Sequence, residues 1–111
     1  EDAVRNAVNN GIGNAFFHKA NLDRPLDGIK DLPKPDIIVL DPPRAGVGRK
    51  TLQYVSDSEA RRIVYVSCNP STQARDVVFL QENGFTLSQV TMVDMFPHTP
   101  HIETVAVLEK T

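Results

Sequence analysis

The stretch Val64-Tyr65-Val66-Ser67-Cys68-Asn69-Pro70 decides the fold of this chain of 111 residues. Residues 63–66 are β-branched or aromatic, and such an apolar run predicts a buried strand. The strand ends at the only cysteine, and Pro70 stops further pairing. In open α/β sheets ligands bind beyond the carboxyl ends of the strands, so Cys68 is a candidate nucleophile. The alternative is a core thiol, because unpaired cysteine is among the most buried residue types.

The composition indicates an ordinary globular domain, with 41% hydrophobic and 23% charged residues. A single cysteine excludes an intramolecular disulfide, no apolar run approaches a membrane span of roughly 20 residues, and the start does not resemble a signal peptide. We therefore expect a cytoplasmic protein. The net charge of −2 gives no general affinity for phosphate backbones, so a nucleic-acid partner would need a local patch or further segments.

Helical and strand-like patterns alternate along the chain. Helices are predicted over residues 1–10, 51–58 and 72–82, the last with Ser71 as its N-cap and Asn83-Gly84 at its end. Strands are predicted over residues 15–18, 36–41, 63–66, 85–95 and 102–108. The strand over 36–41 is apolar without alternation, which predicts cover on both of its faces. The pattern favours an α/β fold with a mostly parallel sheet, helices on both faces and an antiparallel last strand that pairs with the one before it.

Polar side chains cluster where the predicted strands end. They occupy residues 21–23, 41–44 and 68–70, and a fourth group lies within residues 94–103. In a doubly wound sheet the carboxyl ends of the strands converge on one crevice. Taken alone, each polar group is also explained by a turn or a helix cap. The spacing of His98, His101 and Glu103 matches no strong ligand pattern, so we expect no metal site.

Four motifs follow one another along the chain. They are Asp41-Pro42-Pro43-Arg44-Ala45-Gly46, Tyr65-Val66-Ser67-Cys68-Asn69-Pro70, Ala74-Arg75-Asp76 and Asp94-Met95-Phe96-Pro97-His98-Thr99-Pro100-His101-Ile102-Glu103. In this order they resemble the motifs of the RNA 5-methyluridine methyltransferases, which use S-adenosylmethionine to methylate carbon 5 of a uridine in tRNA or rRNA. Amino methyltransferases differ, because their Asp/Asn-Pro-Pro tetrad ends in an aromatic residue. Cytosine-5 RNA methyltransferases also differ, because they carry a cysteine near their Asp-x-Pro motif.

The resemblance implies a Rossmann-like, S-adenosylmethionine-dependent methyltransferase fold and a role for each matching residue. Cys68 matches the nucleophile that adds to carbon 6 of uracil, and Glu103 matches the base that later removes the proton from carbon 5. Asn21 and Asp41 match positions at the cofactor. The positions that the resemblance places at the substrate are Pro42, Arg44, Asn69 and His98.

The chain departs from the family pattern at its front. A Gly-rich turn, an acidic strand end and the RNA-binding regions precede the equivalent of Glu1 in family members, and this sequence does not contain them. We therefore interpret residues 1–111 as the C-terminal half of the catalytic domain, inactive by itself. The resemblance also implies that the strand of residues 15–18 has no neighbour linking it to the strand of residues 36–41. We therefore expect an open sheet edge, with either self-association along that edge or a poorly packed N-terminal segment.

Two other functions are compatible with these residues. The chain could be a non-catalytic binding or scaffold module with the same fold. It could also be a cysteine hydrolase that uses Cys68 with His98 or His101. A hydrolase should be acylated by a small activated ester, whereas a methyltransferase needs S-adenosylmethionine and a uridine.

We expect the 111-residue chain to bind S-adenosylmethionine weakly or not at all. A preorganised site loses most of its affinity when some of its anchoring groups are absent, and half of the expected cofactor contacts precede Glu1. Titration calorimetry tests this expectation, and a complex of about micromolar affinity or tighter would contradict it.

Overall fold

The structure is a computed structural model that describes residues 2–18, 33–94 and 102–111. Its elements are α1 (Asp2–Asn9), β1 (Ile37–Leu40), α2 (Arg49–Asp57), β2 (Arg62–Ser67), α3 (Pro70–Glu82), β3 (Phe85–Asp94) and β4 (Ile102–Lys110). The four strands form one sheet in the order β1-β2-β4-β3. β1 and β2 are parallel, and β4 is antiparallel to both of its neighbours. The α/β fold and the antiparallel pairing of the last two strands are confirmed.

The α3 helix begins at Pro70, so the predicted start with Ser71 as N-cap is wrong. Asn69 has extended backbone and its side chain accepts a hydrogen bond from the Ser71 N–H at 3.1 Å. Pro70 fits the first helical position, because the N–H that proline lacks would have no partner there. The predicted end is confirmed, since Asn83 caps the helix.

The predicted strand over residues 15–18 is absent from the structure. These residues form no regular element, and Phe16 is 82% exposed. A strand exists only where another strand supplies hydrogen-bond partners, and none lies beside these residues in the part of the chain that the structure describes. The side chains of residues 15–18 follow a strand pattern, but no strand pairs with them among the described residues.

One face of the sheet packs under α2 and α3 and forms the core. Ile63 and Tyr65 in β2 are fully buried together with Leu80 of α3 and Leu108 of β4. The other face is open among the described residues, and Val39 in β1 is 66% exposed. The expectation that β1 is covered on both faces is therefore wrong for the described residues. β1 also lies at the end of the strand order, so its outer edge is unpaired within this sheet.

The open edge generates a test of self-association. Unpaired strand edges with apolar side chains promote pairing between chains, and a charge on the edge strand opposes it. We expect Val39→Lys to lower the proportion of dimers and larger species of the 111-residue chain in sedimentation equilibrium. Val78→Lys is the matched control, because Val78 is 51% exposed but lies in α3. An equal effect of both substitutions, or a monomeric unsubstituted chain, would contradict association through β1.

Candidate functional site

The carboxyl ends of β1 and β2 meet at one edge of the sheet. The two strands are parallel and in register, with Leu40 beside Tyr65. Asp41 therefore follows β1 at the same edge where Cys68 follows β2. Asp41 is exposed and Cys68 is half-buried. The predicted convergence of these two strand ends is confirmed.

The β4 strand begins at this same edge because it runs antiparallel to β2. The last registered pair is Ser67 with Thr104, and both residues are buried on the helix-covered face. Cys68 follows Ser67 and Glu103 precedes Thr104, so both residues lie at this end of the sheet. Side chains alternate across a strand, so Glu103 lies on the face away from the helices, where it is half-buried.

A cavity of about 340 Å³ lies at the end of β1. Its walls include the apolar side chains of Val39, Leu40 and Pro42, and the Asp41 carboxylate is its charged group. Largely apolar walls with one fixed polar group are typical of small-molecule sites. The cavity therefore offers the Asp41 carboxylate as an acceptor for amino or hydroxyl groups, beside apolar side chains.

The loop after β1 is tied to the start of α3. Asn69 Nδ2 donates to the Arg44 carbonyl at 3.0 Å, and Thr72 Oγ1 donates to the same oxygen at 2.8 Å. Because the Asn69 amide also caps α3, both of its ends are engaged within the fold. The Arg44 side chain is exposed, so its guanidinium faces solvent at the sheet edge.

Two buried polar residues of α3 were not assigned a role from the sequence. Gln73 Nε2 donates to the carbonyls of Tyr65 in β2 and Thr104 in β4, each at 3.0 Å, and so bridges the two strands. The Asp76 carboxylate accepts a hydrogen bond from Tyr65 Oη at 2.6 Å. A signal was present, because Gln73 and Asp76 share the helical spacing of the buried Val77 and Leu80. A polar residue within such an apolar stripe requires a buried partner.

Three residues that the sequence singled out lie outside the described residues: Asn21, His98 and His101. Within residues 2–18, 33–94 and 102–111, no group of three His, Cys, Asp or Glu side chains could hold a metal ion. None of the helices found in these same ranges has the length and hydropathy of a membrane span.

Comparison with known proteins identifies the family to which the chain belongs. The model of a family described as tRNA (Uracil-5-)-methyltransferase matches residues 11–111. The chain belongs to this family. The 23S rRNA (uracil(1939)-C(5))-methyltransferase RlmD of Vibrio campbellii is 49% identical over 111 residues, which are 99% of this chain and 25% of that protein. RlmD of Methylococcus capsulatus is 47% identical over 110 residues, with 97% and 25% covered. The chain thus spans about a quarter of the length of these relatives.

Two solved structures, one of a uracil-C5 methyltransferase and one more distant, have the same fold. The crystal structure of Pyrococcus abyssi tRNA (uracil-54, C5)-methyltransferase in complex with S-adenosyl-L-homocysteine matches with a TM-score of 0.78 and 39% identity, over 96% of this chain and 24% of that one. The delta-N METTL16 MTase domain matches with a TM-score of 0.53 and 16% identity, over 96% of this chain and 55% of that one, and shares the fold alone. The expected methyltransferase fold is therefore confirmed.

Because Tyr65 is buried, we predict that the free energy of unfolding falls at alkaline pH. Burial, and next the hydrogen bond to Asp76, raise the pKa of Tyr65 well above the ordinary value of about 10. Above about pH 10 the unfolded tyrosine loses its proton while the native one keeps it, so the free energy of unfolding falls by up to about 1.4 kcal/mol per pH unit. Urea unfolding between about pH 8 and pH 11 tests this slope. Tyr65→Phe should remove the part of the slope that comes from this tyrosine. Equal slopes in the native protein and the variant would contradict the assignment of the slope to Tyr65.

Proposed function

We propose that residues 1–111 are the C-terminal half of the catalytic domain of an S-adenosylmethionine-dependent RNA (uracil-5-)-methyltransferase that acts on tRNA or rRNA. The observation that supports this proposal is the β2–β4 pairing, which ends with Ser67 beside Thr104, so that Cys68 follows one of these residues and Glu103 precedes the other at the same end of the sheet. The end of β1 adds the Asp41 carboxylate at the same edge. A thiol, a base and a carboxylate at one sheet edge are the groups that this reaction requires. The cytoplasm, where tRNA and rRNA are modified in bacteria, is the proposed location.

The proposed chemistry begins with the Cys68 thiolate. Carbon 5 of uracil is a poor nucleophile, and a bond from the Cys68 sulfur to carbon 6 converts the ring into an enolate whose carbon 5 can accept a methyl group. Glu103 then removes the remaining proton from carbon 5. The electron pair of that C–H bond reforms the enolate, which expels the thiolate and restores the double bond between carbons 5 and 6. Cys68 is regenerated as a thiolate, and Glu103 gives its proton to solvent.

The cavity at the end of β1 fits part of the methyl donor. When it is bound, S-adenosylmethionine supplies an electrophilic methyl group on a sulfonium. We assign Asp41 to its polar contacts, because a carboxylate accepts hydrogen bonds from amino and hydroxyl groups. The apolar walls formed by Val39 and Leu40 suit a flat purine ring. Asn21 is the second cofactor residue that we propose, because it matches a position at the cofactor in the family.

The substrate contacts that we propose are Arg44, Pro42 and His98. The Arg44 guanidinium is exposed at the sheet edge, where it can donate to uracil oxygens or to an RNA phosphate. Pro42 lines the cavity beside Asp41 and so adjoins the methyl donor. Asn69 is also assigned to the substrate, and its hydrogen bond to the Arg44 carbonyl supports an indirect contribution through Arg44.

Substitution of the two proposed catalytic residues tests the mechanism in the complete gene product, with the numbering of this chain. Cys68→Ala should abolish both methyl transfer and covalent attachment of RNA, because no enolate forms without addition of the thiolate. Glu103→Gln should act later: the amide is nearly isosteric but cannot remove the proton, so methylated RNA should accumulate on Cys68. Denaturing electrophoresis with labelled RNA detects this adduct as a slowly migrating band.

Glu109→Gln is the matched control for Glu103→Gln. Glu109 lies in the same strand at the opposite end of the sheet, where it pairs with Arg62 at 2.8 Å. We expect it to leave turnover almost unchanged. Normal turnover of Glu103→Gln would show that Glu103 is not the base, and methylation by Cys68→Ala would exclude the covalent mechanism. A native protein that forms no 5-methyluridine would favour the scaffold module, and acylation of Cys68 by an activated ester would favour the hydrolase.

A further inference from the structure

We propose that Asp76 is a positioning residue that holds the loop of residues 43–48 against α3. It thereby fixes the Arg44 backbone relative to Cys68. The significance of these two residues for uracil methylation rests on the proposed function. The side chain of Asp76 is 1% exposed, so we assign its role to the residues that it holds.

The Asp76 carboxylate has three hydrogen-bond donors within the described residues. Its Oδ2 atom accepts from the Val47 N–H at 2.8 Å and from Tyr65 Oη at 2.6 Å. Its Oδ1 atom accepts from Arg75 Nε at 3.2 Å. A buried carboxylate destabilises the fold unless hydrogen-bond donors surround it. The native conformation therefore depends on these three bonds. The bond to Val47 is the one that reaches the loop, across 29 residues of sequence.

The loop passes so close to this carboxylate that only glycine fits at position 46. Gly46 has a φ of +85°, and a Cβ atom there would lie 2.7 Å from Asp76 Oδ2 and 2.6 Å from Arg75 Nη2. The Gly46 N–H donates to the Pro43 carbonyl at 2.9 Å and closes the turn. The loop backbone is therefore in direct contact with the Asp76 side chain.

Further bonds attach the same loop to α3. Arg75 Nη2 donates to the Ala45 carbonyl at 2.9 Å, and Thr72 Oγ1 donates to the Arg44 carbonyl. Because α3 begins two residues after Cys68, the loop and the thiol are attached to the same helix. A displacement of a reacting or orienting group by about 1 Å can lower a rate about 100-fold. Loss of the Asp76 bond to Val47 should therefore reduce the reaction at Cys68 without any direct contact.

The test compares Asp76→Asn with Tyr65→Phe in the complete gene product. An asparagine amide can keep its oxygen toward Val47 and Tyr65 only if its NH₂ group faces Arg75, and this repels the guanidinium that also donates to the Ala45 carbonyl of the loop. The bond from the Val47 N–H also weakens, because its acceptor is no longer charged. Tyr65→Phe removes a hydrogen bond from the same carboxylate but keeps the bond to Val47, so it controls for lost stability. Gly46→Ala is the second variant, because it displaces the loop and leaves the carboxylate in place.

Two measurements read out position and reaction separately. Amide hydrogen exchange at Val47 reports the loop and requires no activity. The rate of covalent adduct formation with RNA that contains 5-fluorouridine reports the reaction, because fluorine on carbon 5 cannot leave as a cation and the adduct persists. We expect Asp76→Asn to accelerate exchange at Val47 and slow adduct formation, each by about tenfold or more, with Gly46→Ala acting in the same direction. Tyr65→Phe should change both rates by less than about threefold.

The outcomes separate this proposal from the proposed function. Unchanged exchange at Val47 in Asp76→Asn would overturn the positioning role, even if the native protein methylates RNA. Equal losses of adduct formation in Asp76→Asn and Tyr65→Phe would overturn it too, because stability alone would then explain both. A native protein that forms no adduct would refute the proposed function, while exchange at Val47 would still decide whether Asp76 holds the loop.

Discussion

The antiparallel pairing of β4 with β2 is the constraint on which the rest of the structure depends. It inserts the last strand of the chain between β2 and β3, and it runs in continuous register from Arg62 with Glu109 to Ser67 with Thr104. A slip by one residue would move every side chain of β4 to the other face and bring Ala106 and Leu108 out of the core. The burial of these residues therefore fixes the register. The same register brings Glu103, which precedes Thr104, to the end of the sheet where Cys68 follows Ser67.

The α3 helix connects this sheet to the loop after β1. Its buried face carries Gln73 and Asp76 among apolar residues, and the two polar side chains face different partners. Gln73 donates hydrogen bonds to carbonyls of β2 and β4, while Asp76 accepts hydrogen bonds from the Val47 N–H and the Tyr65 hydroxyl. Buried polar groups must be paired, so these contacts admit few alternative arrangements of the helix, the sheet edge and the loop.

The two faces of the sheet differ in a way that agrees with the proposed division of the domain. The face under α2 and α3 is packed, with Ile63, Tyr65 and Leu108 fully buried. On β1 the opposite face leaves Ile37 half exposed and Val39 more so, and the outer edge of β1 has no neighbour among the described strands. An apolar face and an open edge on the same strand are what half of a doubly wound sheet presents. The chain's share of about a quarter of its relatives' length is consistent with this interpretation.

The sequence by itself determined the order of helices and strands from β1 onward, the final antiparallel pair, the family motifs and the position of Cys68 at a strand end. These features follow from local periodicity and from turn residues, which act over a few positions. The N-cap of α3 was misplaced by two residues because Asn69 and Ser71 are both good caps, and the proline between them decided the choice. The prediction of a strand over residues 15–18 was wrong, because a strand forms only beside a second strand, which is usually distant in sequence. The pairing of Ser67 with Thr104 and the contact of Asp76 with Val47 were likewise decided only by the tertiary structure, because each joins residues whose separation in sequence carries no periodic signal.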